Sequence, residues 1–277
     1  MPEGDTIYRT ARTLRRALAG RVVTGFEAGL AELAALDREE PLKGRTIDHV
    51  ESVGKHVLMS FSGGVILRSH MRMNGSWHIY RPGEKWQRPR SARRIVIETA
   101  EWVAVAFDVY NADFIRAEQL SADPIVGSLG PDLLGNFDAN EALTRVRRAG
   151  NRAMHEVLLD QRVMAGVGNV YKSELLFLSG IHPDVPAAAV DEGRWRDLMA
   201  LAQSLLRSNV ADNSTRGIVT YRGPRRTTGR MNPSDRLWVY GRGGKPCRKC
   251  GETIAFRKDG DAARVTYWCP TCQPLRG

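Results

Sequence analysis

Four cysteines constrain the fold of this chain more than any other feature. They are the only cysteines in 277 residues, and they form two Cys-x-x-Cys pairs near the end, Cys247/Cys250 and Cys269/Cys272, with eighteen residues between the pairs. Each pair can place two thiolates on one side of a tight turn, and two such turns complete a tetrahedral sulfur site with bonds of about 2.3 Å. Two disulfides are the alternative, but they require an oxidising compartment that nothing else in the chain suggests. We therefore predict one zinc ion, structural because four thiolates leave no position for water or substrate.

The positive charge of the chain is concentrated in one segment. The net charge is +10, and residues 214–258 hold twelve Lys and Arg against Asp235 and Glu252. This density indicates contact with a polyanion, nucleic acid ahead of a membrane because no amphipathic helix accompanies it; a solvated surface is the alternative. No apolar run approaches the roughly 20 residues of a membrane helix, and residues 1–20 do not resemble a signal peptide. We expect a cytoplasmic protein with no membrane partner.

Apolar spacing divides the chain into regions of different secondary structure. Residues 5–18 have helical spacing, with arginines on the polar faces. From residue 21 to about 118, short strand patterns recur between glycine turns, which favours a β-sandwich. Beyond residues 121–137, which contain Asp-Pro and Gly-Pro pairs, the spacing is helical. The predicted strands are 56–61, 65–69, 94–98 and 102–107, and the later helices are 141–148, 153–161, 169–178 and 194–208.

These patterns predict an α+β multidomain fold. Its parts are an N-terminal β-sandwich domain with an N-terminal helix (1–120), a linker (121–137), a helical domain (138–235) with an exposed basic loop (209–234), and a C-terminal β-hairpin zinc finger (236–277).

The amino terminus offers a candidate nucleophile. If Met1 is removed, Pro2 presents a secondary amine, which can attack a sugar carbon and form an iminium. An α-amino group titrates at about pH 7.7–8.0, so a neutral fraction exists near neutral pH. Glu3 could move the protons. The alternative is an ordinary Met-Pro start followed by a solvated glutamate.

Residues 158–174 carry a second motif. They indicate a helix, a turn opened by Gly166 and Gly168, and a second helix that starts at Asn169. Glycines allow close backbone approach, and the amides at a helix start favour an anion such as phosphate. A plain helical packing unit is the alternative.

Several motifs occur in one order along the whole chain. They are Met-Pro-Glu-Gly at the start, Gly54-Lys55, His70, Leu129-Gly-Pro-Asp132, the turn before Asn169, Gly180-Ile-His-Pro183, Trp238-Val-Tyr-Gly-Arg242 and the four cysteines. Together they resemble the formamidopyrimidine-DNA glycosylase/endonuclease VIII family of bacterial base-excision repair enzymes. The resemblance implies that the helical domain is of the helix–two-turn–helix type. It also implies a monomer that acts on damaged DNA in the bacterial nucleoid.

The resemblance implies a catalytic set of four residues. Pro2 would attack C1′ of a flipped, damaged nucleotide, and Glu3 would be the general acid/base. Lys55 would contact phosphate beside the lesion and assist catalysis, unless it is a surface lysine. Arg264 would clamp phosphates from the tip of a zinc-bound hairpin. Excision and strand cleavage by β,δ-elimination would then share one site.

The resemblance also implies a DNA-binding set of seven residues. They are His70, Asn169 and Tyr240 on phosphates, Arg72, Met73 and Asn74 filling the space left by the flipped base, and Glu174 on the second helix, where a supporting role is favoured over direct attack. A buried histidine at position 70 and a β-turn at 72–74 without a DNA role are the alternatives.

Two departures from the family pattern bear on the substrate. The family often has Glu at position 6, where this chain has Thr6, so no proton-transfer role is carried over to that position. The opening Met-Pro-Glu-Gly and the absence of Asp-Pro-Arg-Arg-Phe near 108–114 favour the endonuclease VIII branch. We therefore expect oxidised pyrimidines ahead of 8-oxoguanine. The competing hypothesis is a non-catalytic, zinc-containing protein that binds damaged DNA.

Overall fold

The computed structural model describes residues 2–210, 227, 236–259 and 264–275. Its compact units divide between Ser128 and Leu129, inside the segment predicted as a linker. Most of the predicted basic loop, with its five arginines, lies outside the described residues; these are Arg216, Arg222, Arg225, Arg226 and Arg230.

In the first unit, the described residues form two four-stranded antiparallel sheets and two α-helices. The first sheet has the order β1-β6-β7-β5, and the second has the order β2-β3-β4-β8. The strands are β1 Val23–Ala28, β2 Ile47–Val53, β3 His56–Phe61, β4 Val65–His70, β5 Ser76–Tyr80, β6 Arg93–Thr99, β7 Val103–Phe107 and β8 Asn111–Arg116, and the helices are α1 Gly4–Leu18 and α2 Ala31–Glu39.

One apolar core joins both sheets, which confirms the predicted sandwich. The core takes alternate residues such as Met59 and Leu67 from the second sheet and Ile95 and Ile97 from the first, together with the buried face of α1. Alternation places every second side chain of a strand on the same face, so each sheet contributes one apolar surface. The outer face of the first sheet is also covered, where Val105 packs in a smaller cluster.

Some elements of this unit were not predicted from the sequence. Strands β1, β2, β5 and β8 carry polar residues at several positions, and β8 has a single buried residue, Ile115. Helix α2 buries only Leu33. The local periodicity of these segments is weak, so contacts with neighbouring strands and helices, rather than their own sequence pattern, specify their structure.

The described part of the second unit contains four α-helices packed around a separate core. The helices are α3 Ala139–Ala149, α4 Met154–Val157, α5 Asn169–Leu178 and α6 Glu192–Val210. Helix α4 is shorter than the predicted 153–161. The reason is Gln161, whose side-chain amide donates to the carbonyls of Leu159 and Val167 and accepts from the N–H of Gly166, so the chain turns there instead of continuing as a helix.

An antiparallel hairpin of β9 Ala255–Asp259 and β10 Arg264–Trp268 completes the second unit and packs through β10 against α5. Among the described residues, no helix is long and apolar enough to cross a membrane.

Candidate active site and nucleic-acid interface

The first residues of the chain belong to the folded interior. Pro2 and Glu3 are buried, and Glu3 is 0% exposed at the start of α1, where its carbonyl accepts a 3.0 Å hydrogen bond from the N–H of Ile7. Glu3 is therefore not a solvated surface charge, which was the alternative left open by the sequence. It lies next to the position where an amine on Pro2 would act.

The amino terminus and Lys55 lie at the same end of the sandwich. Arg15 Nε donates to the carbonyl of Val50 at 2.6 Å, and the N–H of Gly20 donates to the carbonyl of Ile47 at 2.8 Å, so α1 and β2 run in opposite directions. From Arg15 back to the start of α1, the helix spans about 16 Å. From Val50 forward to Lys55, the strand spans about 16 Å. The two lengths match, which brings the turn that carries Lys55 level with the start of α1.

His70 ends β4 beside that turn. Its ring meets the ring of His56 edge-on at 4.8 Å, and its Nδ1 accepts a 3.0 Å hydrogen bond from the backbone N–H of Arg72. Burial, with the positive charges of Arg72 and Lys55, lowers the pKa of His70 to about 4. The imidazole is therefore neutral at pH 7, and because Nδ1 accepts, Nε2 carries the proton. A neutral N–H donor at this position can bind a phosphate oxygen.

Residues 71–75 form a tight turn between the two sheets. The N–H of Gly75 donates to the carbonyl of Met71 at 2.9 Å, and a Cβ on Gly75 would lie 2.4 Å from that oxygen, so only glycine fits. Arg72 has a backbone φ of +49°, which residues other than glycine rarely adopt. Its side-chain Nε donates to Asn111 Oδ1 at 2.9 Å. Met73 is 61% exposed at the tip. A strained turn that presents a large apolar side chain to solvent suits insertion between bases.

In the second unit, the turn before α5 is braced by the segment Leu129-Gly-Pro-Asp132. The N–H of Gly130 donates to the carbonyl of Gln161 at 2.9 Å, and the N–H of Ala165 donates to the carbonyl of Pro131 at 2.9 Å. A Cβ on Gly130 would lie 2.4 Å from the carbonyl oxygen of Val163. The motif therefore works as a support for the turn that opens at Asn169.

Asn169 is the first residue of α5 and links that helix to the hairpin. It is 6% exposed, and its Nδ2 donates to the carbonyl of Val265 at 3.0 Å, next to Arg264. Its Oδ1 is buried without a hydrogen-bond partner in the described part of the chain. Arg264 itself is exposed at the start of β10. The structure thus brings two of the expected phosphate-binding residues of this unit into one neighbourhood.

Glu174 is fully buried and holds a loop. Its Oε2 accepts from the backbone N–H of Trp238 at 2.8 Å and from the hydroxyl of Thr227, and its Oε1 accepts from the N–H groups of Val239 and Tyr240 at 2.9 Å each. Both oxygens are therefore occupied by the protein. This geometry favours the supporting role over direct attack, because the carboxylate anchors the segment that carries Tyr240.

The four cysteine sulfurs fit a tetrahedral zinc ion. All four lie within 4.8 Å of one another, with Cys247 and Cys272 sulfurs 3.9 Å apart and Cys250 and Cys269 sulfurs 3.4 Å apart. A ZnS₄ tetrahedron with 2.3 Å bonds has sulfurs about 3.8 Å apart, and a disulfide would need about 2.05 Å. The residues present therefore match the predicted metal and not the disulfide alternative.

Sequence reasoning missed a buried polar network beneath the hairpin. Lys172, 0% exposed on α5, donates through Nζ to Thr266 Oγ1 at 2.6 Å, and that hydroxyl donates to Asp259. Arg257 donates to Asp259 at 2.6 Å and also to Asp184, which lies in a separate loop, at 2.6 Å.

His56, the partner of His70, was also missed. Its place beside Lys55 was the one signal available, whereas nothing in the local pattern distinguishes Lys172 from a surface lysine.

Family comparisons agree with this geometry over most of the chain. The formamidopyrimidine-DNA glycosylase N-terminal domain matches residues 1–109, the formamidopyrimidine-DNA glycosylase H2TH domain matches residues 129–220, and the zinc finger found in FPG and IleRS matches residues 244–275. The chain belongs to the formamidopyrimidine-DNA glycosylase/endonuclease VIII family.

Its similar relatives include proteins named endonuclease 8, which places the chain in that branch. It is 44% identical to "Probable endonuclease 8 2" of Streptomyces coelicolor, over 99% of this chain and 94% of the relative. It is 40% identical to "Endonuclease 8 2" of Mycobacterium tuberculosis, over 99% and 100%. It is 38% identical to "DNA-(apurinic or apyrimidinic site) lyase Nei2" of Mycolicibacterium smegmatis, over 99% of each.

Among solved structures, Lactococcus lactis Fpg in complex with DNA containing N7-benzyl-Fapy-dG has the same fold. The TM-score is 0.81 at 24% identity, over 99% of this chain and 100% of that chain.

Proposed function

We propose that this chain removes oxidised bases from DNA, pyrimidines ahead of 8-oxoguanine, through a Schiff base on Pro2, and then cleaves the strand by β,δ-elimination. As a member of this family, the chain is a DNA-repair enzyme with DNA glycosylase and AP lyase activities. We propose in addition its nucleophile, the roles of its site residues and its preferred lesion.

The observation that carries the proposal is the arrangement at one end of the sandwich. A buried Glu3 follows Pro2 directly, and the turn with Lys55 lies level with the start of α1. A neutral His70 lies beside that turn. A nucleophile, a proton carrier and two phosphate-binding groups in one place are the components that this reaction needs.

The proposed chemistry uses the chain's own groups at each step. After removal of Met1, the nitrogen of Pro2 attacks C1′, the bond from C1′ to the base breaks, and the base leaves with a proton. Glu3 protonates the ring oxygen as the sugar opens to the iminium. Loss of the C2′ proton then expels the 3′ phosphate, a second elimination expels the 5′ phosphate, and hydrolysis releases Pro2.

The remaining residues bind and position the DNA. We assign lesion-strand phosphates to Lys55, His70, Asn169, Arg264 and Tyr240. Glu174 holds the loop that carries Tyr240. Residues 72–74 fill the space vacated by the flipped base.

A single zinc ion on the four cysteines keeps the hairpin that carries Arg264 folded. We propose that the enzyme acts as a monomer on damaged DNA of the nucleoid.

Borohydride trapping tests the nucleophile. Protein that lacks Met1 and contains zinc is incubated with duplex DNA carrying an abasic site, 5,6-dihydrouracil or 8-oxoguanine, and the cross-linked peptide is sequenced by mass spectrometry. We expect an adduct on Pro2, with dihydrouracil trapped in preference to 8-oxoguanine. Two changes should remove most of the trapped adduct. They are Pro2→Gly, and an uncleaved N-terminal extension that makes the Pro2 nitrogen an amide.

The exposed Pro41→Gly is the matched control and should trap normally. An adduct on another residue would refute the role of Pro2. No adduct from any of the three DNAs would instead favour the non-catalytic damage-binding protein.

A further inference from the structure

A second basic segment lies in the first unit, outside the segment 214–258. Residues 81–94, which connect β5 to the first residues of β6, contain one acidic residue, Glu84, and six basic ones. The basic residues are Arg81, Lys85, Arg88, Arg90, Arg93 and Arg94. The roles proposed above use none of them.

Two of these arginines are held in place by the protein without a carboxylate partner among the described residues, so they can bind an anionic ligand. Arg88 pairs with Asp108, and Arg93 pairs with Glu27. Among the described residues, by contrast, Arg90 and Arg94 have no carboxylate partner. Their guanidinium groups lie over aromatic rings, Arg90 5.1 Å from the ring centre of Trp86 and Arg94 4.6 Å from that of Tyr110, and Arg94 also donates to the Tyr110 hydroxyl at 2.7 Å. Arg94 Nη1 also donates to the backbone carbonyls of Ser91 at 2.9 Å and Arg93 at 2.7 Å. Stacking, and for Arg94 these hydrogen bonds, hold the planar groups in place without neutralising their charge by a carboxylate.

The segment is next to the turn that we assign to the space left by the flipped base. A cavity of about 660 Å³ lies between them, lined by Met73 and Asn74 from the turn, by Arg88 from the segment, and by Asp108 and Tyr110 from the loop after β7. Tyr110 is 60% exposed and forms the wall on which Arg94 stacks. A duplex penetrated by Met73 would therefore have part of its backbone beside the segment.

The sheet topology indicates which DNA strand would lie beside residues 81–94. The turn 71–75 crosses from β4 in one sheet to β5 in the other. The proposed ligands of the damaged strand are His70, the last residue of β4, and Lys55, in the turn that joins β2 to β3 of the same sheet. Arg94 lies on β6, in the sheet with β5. A turn that entered the base stack from this position would place the sheet of His70 towards the damaged strand and the sheet of Arg94 towards the opposite strand.

We propose that Arg90 and Arg94 bind phosphates of the undamaged strand opposite the lesion. This inference rests on the proposed function, since it requires the turn 71–75 to enter the duplex. It adds a contact surface that makes duplex DNA a better ligand than single-stranded DNA.

Salt-dependent binding tests the surface. The probes are a duplex with a tetrahydrofuran abasic analogue and its damaged strand alone, so no catalysis is needed. Each phosphate contact contributes a slope of about 0.9 in log affinity against log salt for duplex DNA. The double variant Arg90→Glu/Arg94→Glu should therefore make the duplex slope less negative by about 1.8 and leave the single-strand slope unchanged.

The matched control is Arg38→Glu/Lys43→Glu, which changes the charge equally at two exposed positions of the same unit and should change neither slope. The variant Arg90→Gln/Arg94→Gln preserves side-chain bulk, and an unchanged melting temperature shows that it is folded. An unchanged duplex slope in both variants, or an equal loss on the single strand, would overturn the proposal. If the wild-type protein binds the duplex but traps no substrate, only the chemistry proposed for Pro2 is refuted, and the binding surface is not.

Discussion

Replacing the buried carboxylate of Glu174 by the amide of glutamine should destabilise the second unit and weaken DNA binding. Glu174 accepts four hydrogen bonds, three of them from the backbone N–H groups of Trp238, Val239 and Tyr240. In Glu174→Gln, the remaining oxygen can still accept from two of these groups. The new NH₂ group, however, faces the N–H of Trp238, so two donors meet where an acceptor stood.

The magnitude follows from these contacts. A hydrogen bond to a charged group contributes about 1.5–3 kcal/mol, and leaving a buried donor without a partner costs about 1–3 kcal/mol. We expect the free energy of unfolding to fall by about 3 kcal/mol. For a unit of this size, that corresponds to a drop in melting temperature of about 6–12 °C.

Thermal unfolding of the zinc-loaded protein, followed by circular dichroism, measures this effect. Glu141→Gln is the matched control, because that carboxylate is exposed on α3 and pairs with Arg145 one helical turn away, so it should change stability by no more than about 0.5 kcal/mol. The variant should also bind abasic duplex less tightly, because the loop with Tyr240 loses its anchor. A loss below about 1 kcal/mol with unchanged DNA binding would refute the anchoring role.

Two further predictions concern pH and zinc. The pKa values of His56 and His70 are about 3 and about 4 in the folded protein against 6.5 ordinarily, so the unfolded chain binds protons first as the pH falls and stability should decrease from pH 6.5 towards pH 4. Urea midpoints across this range should fall less steeply in His56→Phe, and parallel slopes would contradict the burial of a neutral pair. Removing zinc with a chelator, or by Cys272→Ser, should abolish trapping while the sandwich stays folded by circular dichroism; full trapping after confirmed metal loss would show that the hairpin does not need the ion.

Local patterns predicted the elements whose own residues specify them. Strand β3 and helix α5 begin and end where the sequence indicates, since one has a continuous apolar run and the other follows the glycine turn. Strand β8 and helix α2 were not predicted, because each buries one side chain and depends on its neighbours. Helix α4 stops early because Gln161 turns back on the chain, a contact that helical spacing does not encode.

The sequence by itself determined the four-cysteine cluster, the sandwich, the helical domain and the family, because these depend on spacing and on the order of motifs. Only the tertiary structure decided which groups meet. Arg72 is held by Asn111, 39 residues away, through the pairing of β4 with β8. Lys172 is buried against Thr266, 94 residues away. Such contacts are set by sheet register and burial, which depend on the whole folded chain rather than on any local window of residues.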